Sequence, residues 1–275
     1  MIESIVLIIA GFLAGIIGYI LGIGGGIILI PIMVIAFGYS MHVAVPVSLL
    51  AIVANSSNVA ANNIKKEIVN IPLGLTLETA TVVCSIIGGF VSLYINENIL
   101  KIVFSIVMLF VAYIYIRDIN NNNSVVESNG VCEKKTYFYS YYFDERLNKN
   151  IYYNVYNVFI TILVSSIAGI LSSLLGIGGG FIKVPAMNLI SKVPIKAAVA
   201  TSNFMIGITA SAGALVYLLY GEIDIHLMAT IVIGVYIGSQ CSLKYFNKIT
   251  DRKTKIILII LIICVSLEMF IEAMR

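Results

Sequence analysis

Long apolar runs alternate with short polar stretches along this chain. The apolar runs lie at about 3–21, 42–62, 71–95, 98–117, 154–175, 197–219, 226–244 and 255–273. Each is close to the ~20 residues that a helix needs to cross the hydrocarbon core of a bilayer. Two shorter runs, at about 24–38 and 178–191, begin in glycine-rich sequence. The pattern predicts an all-α polytopic membrane protein with about 8–10 membrane helices, two of them short or broken. Residues 118–150 interrupt it: INNNNSVVESNG is polar, and EKKTYFYSYYFDERLNKN is charged and rich in tyrosine. They predict a partly disordered linker between a first membrane half at 1–117 and a second at 151–275. Its tyrosines suit the headgroup level, where amphipathic rings anchor.

Composition agrees with the pattern. The chain is 60% hydrophobic and 11% charged, whereas a soluble domain is roughly a quarter charged. Its net charge of +3 gives no basis for a nucleic-acid partner. The N-terminal apolar run follows Glu3 rather than a basic segment, so it reads as a first span and not as a cleaved leader. Cys84, Cys132, Cys241 and Cys264 form no CxxC pair and read as small buried residues. No metal or cofactor motif and no hydrolase triad is visible. His42 and His226 stand at span ends without ligand-like neighbours.

The two halves repeat one another. LGIGGGIILIP at 21–31 returns as LGIGGGFIKVP at 175–185, an offset of 154 residues. At that offset Ala44, Val45 and Ser48 also meet identical partners, Ala198, Val199 and Ser202. So long a match marks a duplication. Lysine and arginine give orientation, because they favour the cytoplasmic side. Lys65 and Lys66, the 117–150 segment with Arg117, Lys134, Lys135, Arg146 and Lys149, and the 244–255 segment with Lys244, Lys248, Arg252, Lys253 and Lys255 go inside. Loops 95–98 and 220–225, which carry no basic residue, then go outside. This assignment requires each glycine-led segment to cross, so an odd number of crossings per half inverts the second copy. Re-entrant segments that returned to their own side would leave the halves parallel.

Gly24, Gly25 and Gly26, with their copies Gly178, Gly179 and Gly180, cannot hold a regular helix well. Pro31 and Pro185 follow as helix-breaking residues. The pattern predicts a break and then a half-helix whose first N–H groups face an anion. Two such ends meeting near the midplane would make an anion site. The competing reading is tight helix packing through small residues. Lys183, which replaces Leu29 in the second copy, either adds a positive charge to that site or snorkels to an interface. Ser48, Asn55, Thr201, Ser202, Asn203 and Thr209 supply uncharged donors in the spans that follow, or else join helices together. Glu78, seven residues into its span, either carries a proton or lies among headgroups.

These residues resemble the sulfite exporter TauE/SafE family. The resemblance rests on LGIGGGIILIP, LGIGGGFIKVPAMNLI, VPIKAAVATSNFMIGITASAGALVYLLYG at 193–221 and IGVYIGSQ at 233–240. It covers both halves and omits 118–150. The first half departs from it after Pro31, where Val47-Ser48-Leu49 stands opposite Thr201-Ser202-Asn203. The resemblance implies a multi-pass carrier of the cell membrane for small sulfur-containing anions: sulfite, sulfonates or related organosulfur acids. A proton is the expected coupling ion. An anion channel and a permease for another small organic acid are the alternatives; an enzyme would need a nucleophile–base pair that the chain lacks.

Overall fold

The computed structural model describes residues 2–120, 137–144, 148–221, 223–245 and 252–274. Cys132 and the basic Lys134, Lys135, Arg146 and Lys248 of the orientation argument lie outside them. The first half contains α1 (Ile2–Leu21), the short α2 (Gly26–Pro31), α3 (Met41–Lys65), α4 (Ile71–Tyr94) and α5 (Glu97–Asn120). The second contains α6 (Val158–Leu175), the short α7 (Gly180–Pro185), α8 (Ile195–Tyr220), α9 (Ile225–Tyr245) and α10 (Arg252–Met274). Among the described residues, 7 helices are long and apolar enough to cross a membrane. Their outward faces carry exposed Ile, Leu, Val and Phe, as lipid contact demands. The protein is an all-α polytopic membrane protein.

One departure from the sequence expectation lies in the linker. Part of it folds as an antiparallel hairpin, β1 (Ser140–Asp144) with β2 (Lys149–Tyr153), in register from Ser140–Tyr153 to Asp144–Lys149. Alternation explains this. Tyr142 and Asp144 point inward while Tyr141 and Phe143 are exposed, the period of two that one buried sheet face requires. The hairpin packs on the membrane helices: Asn70 Nδ2 donates to the Phe138 carbonyl (3.0 Å), and Lys196 pairs with Asp144 (3.6 Å). Cys84 and Cys241 are half-buried and Cys264 is exposed, so these cysteines are less enclosed than their apolar surroundings suggested.

Helix pairing follows the repeat. The offset carries α1 onto α6 and α4 onto α9. The two closest pairs, α1 with α9 and α6 with α4, are therefore the same pair with the halves exchanged. Both are held by glycine. Gly11 and Gly15 abut the carbonyls of Ile231 and Val235, and Gly169 abuts that of Thr81. Small residues of this kind let membrane helices approach to backbone contact.

Helix direction can be read from the contacts. Thr81 lies on Gly169, and further along Ser85 bonds Ser173. Gly74 lies on Thr201 and Phe204, and further along Gly89 lies on Gly213 and Val216. Helix α4 thus runs parallel to both α6 and α8. Since α6 and α8 point the same way, the segment between them runs back. Its end bonds the beginning of α6: Ser191 pairs with Thr161 (2.6 Å) and accepts from the Tyr156 N–H (3.1 Å). The first half does likewise, where Tyr39 donates to Glu3 (2.9 Å).

Candidate transport site

The two glycine runs meet in the centre of the molecule. Each leaves its long helix through glycines of positive φ: Gly22 (70°), Gly24 (91°) and Gly25 (93°) in the first, and Gly176 (68°), Gly178 (90°) and Gly179 (69°) in the second. This backbone region is nearly closed to other residues. Each run then starts a short helix at Gly26 or Gly180. Pro31 and Pro185 stand at the end of these α-helical turns, and the chain continues as π-helical turns at Ile32–Ala36 and Ala186–Ile190. A proline donates no N–H to the turn before it, and the wider turn accommodates that loss.

Contacts across the centre are reciprocal. A Cβ on Gly26 would overlap the Gly176 carbonyl oxygen, and a Cβ on Gly180 would overlap that of Gly22. Ser48 Oγ donates to the same Gly176 carbonyl (2.7 Å), and Ser202 Oγ to that of Gly22 (2.9 Å). The Ile52 side chain lies between Gly24 and Gly178. Asn55 Nδ2 donates to the Gly24 carbonyl (3.2 Å), and Asn203 Nδ2 to that of Tyr19 (3.1 Å). Thr201 is not part of this centre; its hydroxyl accepts from the Asn70 N–H (3.0 Å) at the start of α4. Two buried polar atoms beside the runs have no protein partner, Asn55 Oδ1 near Gly24 and Ser172 Oγ near Gly179.

Lys183 occupies a second polar cluster, one turn beyond Gly179. It is 0% exposed, so it does not snorkel to an interface. Its Nζ donates to Glu78 Oε2 (3.1 Å) and to Thr209 Oγ1 (2.6 Å). The Thr209 hydroxyl donates in turn to Glu78 Oε1. Glu78 is 3% exposed, so its carboxylate faces protein rather than solvent. A layer of hydroxyls continues from the cluster: Ser85 bonds Ser173 (2.5 Å) and the Thr209 carbonyl (2.7 Å), and Tyr217 donates to the Ser173 carbonyl (2.9 Å). Sequence reasoning left Ser85 and Ser173 out. The signal that could have joined Glu78 to Lys183 was arithmetic of charge: α4 holds one acid and the glycine-led segment one base.

The cluster joins α4 of the first half to α7 and α8 of the second, and it has no counterpart where the halves are exchanged. At the matching positions stand Leu29 for Lys183, Val232 for Glu78 and Asn55 for Thr209. Among the described residues, no group of acids, histidines and cysteines could hold a metal ion.

The sequence pattern of the sulfite exporter TauE/SafE family matches residues 7–269. The chain belongs to this family. It is 25% identical to the probable membrane transporter protein YunE of Bacillus subtilis, over 98% of both chains. It is 28% identical to a probable membrane transporter protein of Methanocaldococcus jannaschii, over 92% of this chain and 90% of that one. No solved structure matches the chain significantly. The TauE/SafE protein described here is therefore a multi-pass membrane transporter and not an enzyme.

Proposed function

We propose that the protein is a secondary transporter of the cell membrane for small sulfur-containing anions: sulfite, sulfonates or related organosulfur acids. The substrate binds among Gly24–Gly26, Gly178–Gly180, Ser48, Asn55, Ser202 and Asn203 of the centre and Lys183 and Thr209 of the adjoining cluster, and a proton is the coupling ion. The observation that carries this reading is Lys183, a base with no exposure to solvent on the segment that the second glycine run begins. A buried lysine in a membrane is costly and is tolerated where it faces a partner anion or a polar cavity. The unpartnered Ser172 hydroxyl beside Gly179 adds a donor for such an anion. The sulfur chemistry comes from the family's name.

The halves, 1–117 and 151–275, are inverted relative to each other and rock around the centre. The parallel run of α4 with α6 and α8 supports this, as does the return of each glycine-led segment to the start of its half. The 118–150 linker then lies on the cytoplasmic side.

Counterflow in proteoliposomes tests the reading. Vesicles preloaded with unlabelled sulfite are diluted into labelled sulfite, with methanesulfonate as competitor. Transient accumulation of label that the competitor abolishes is the expected result. Flux without counterflow indicates a channel, and no sulfur-anion flux from folded protein rejects the substrate class.

A further inference from the structure

We infer that Glu78 stands in for the substrate on Lys183 and is the carrier of the coupling proton. This rests on the anion-transporter reading above and assigns its coupling step to one side chain. In the empty protein the Glu78 carboxylate holds the Lys183 ammonium. The arriving anion takes that place, and Glu78 leaves as the neutral acid after binding one proton. Anion and proton then cross together.

Three observations converge on this step. First, the charges are not required to build the place they occupy. The first half forms the same short helix with Leu29 where the second has Lys183, and α9 carries Val232 at the position that Glu78 holds on α4. A buried ion pair is often no more stabilising than well-packed hydrophobic residues, so packing does not account for its presence. Second, the pair is electrically isolated. Helices α4, α6, α7 and α8 and the π-turn after α7 contain one acid, Glu78, and two bases, Lys183 and Lys196. Lys196 is engaged by Asp144 at the hairpin end. Of the other titratable groups on these elements, Tyr217 is bound to the Ser173 carbonyl, Cys84 is half-buried, and Tyr94 and Tyr220 are exposed. Third, the ligand geometry suits an oxyanion. Lys183 and Thr209 hold the two carboxylate oxygens, as they would hold two oxygens of a sulfonate.

Charge balance supplies the proton. The resting cluster, one ammonium and one carboxylate, is neutral. Adding a monoanion without a cation would leave an uncompensated negative charge in a site closed to water, a state that buried groups avoid by changing protonation. Protonation of Glu78 restores neutrality. Thr209 accommodates the change by rotation alone, because its hydroxyl can donate to the carboxylate or accept from the carboxylic acid. Such a carrier follows the combined gradient. It moves the anion outward whenever the outward anion gradient exceeds the inward proton gradient.

The experiment uses the full chain in proteoliposomes with labelled methanesulfonate, a permanent monoanion, and a pH dye inside. Wild type and Glu78→Gln are compared in counterflow and under an inside-alkaline gradient. For wild type we expect proton and anion to enter together, insensitive to membrane voltage. At one proton per anion, about one pH unit gives about tenfold accumulation. Glu78→Gln mimics the protonated acid, so it keeps counterflow and loses gradient-driven accumulation. Accumulation by Glu78→Gln equal to wild type overturns the inference. So does wild-type uptake that follows voltage and carries no proton, a result that decides the matter even if the variant does not fold. Proton-coupled transport of acetate, lost in Glu78→Gln, with sulfite and methanesulfonate ignored, overturns the substrate class and supports Glu78. No transport of any of these anions by folded protein overturns both.

Discussion

Ser48 and Ser202 make one hydrogen bond twice, each from its own half to the glycine run of the other. Ser48 reaches the Gly176 carbonyl and Ser202 the Gly22 carbonyl, at 2.7 Å and 2.9 Å. Both serines are fully buried. Their carbonyls belong to residues in the left-handed region, where no helical neighbour is placed to satisfy them. Replacing either serine by alanine leaves a buried acceptor unpaired, at a cost of about 1–3 kcal/mol. Thermal unfolding in detergent should show similar losses for Ser48→Ala and Ser202→Ala. A loss confined to one variant would break the equivalence of the two bonds.

Gly26→Ala and Gly180→Ala should be worse than a helix-propensity argument predicts. Alanine normally favours a helix over glycine, yet here the new methyl overlaps a backbone carbonyl of the opposite half. Overpacking of this kind costs about 1–3 kcal/mol, and the halves would have to separate to relieve it. Lower melting temperature and lost counterflow are expected in both. Unchanged transport in either would mean that the centre is looser than these contacts.

Lys183→Met should destabilise the protein by about 3–5 kcal/mol, because it leaves the Glu78 carboxylate buried without its partner. Adding Glu78→Gln to that variant should restore most of the stability, since the repeat already tolerates the apolar Leu29 and Val232 at the matching positions. The double variant should still transport nothing. If it transports like wild type, Lys183 has no part in binding the anion.

Orientation can be tested with single cysteines in a background lacking the native four. Cysteines at Asn96 and Gly221 should react with an impermeant maleimide on intact cells, and one at Lys66 only after lysis. Labelling of Lys66 and Gly221, in equivalent loops of the two halves, from the same side would defeat the inverted arrangement.

The apolar periodicity and the duplicated glycine runs made most of this architecture legible in the sequence. Lengths of apolar sequence locate membrane helices because the bilayer fixes the length required, and three adjacent glycines interrupt any helix. The hairpin was harder to see: the polar, tyrosine-rich composition of EKKTYFYSYYFDERLNKN suggested disorder, and the alternation within SYYFD was the weaker signal. The partner of Lys183 was hidden for a different reason. Glu78 lies 105 residues away in sequence, and the depth of a residue within a helix does not say which side of that helix faces protein. Thr201 misled because it adjoins Ser202, yet one residue along a helix turns a side chain by about a quarter of a circle. That rotation points it at the start of α4 instead of at the centre.

The mutual fit of the glycine runs also bears on how the two gene halves can diverge. Each run is at once the space into which the other's carbonyl fits and the carbonyl that fills the other's space. A side chain gained on one copy obstructs both, so neither is a spare that can drift while its twin keeps the function. The surrounding positions carry no such mutual debt, and there the copies have parted: Leu29 from Lys183, Val232 from Glu78, Asn55 from Thr209. The duplication thus kept one shared contact between the copies and left the positions around it free to differ.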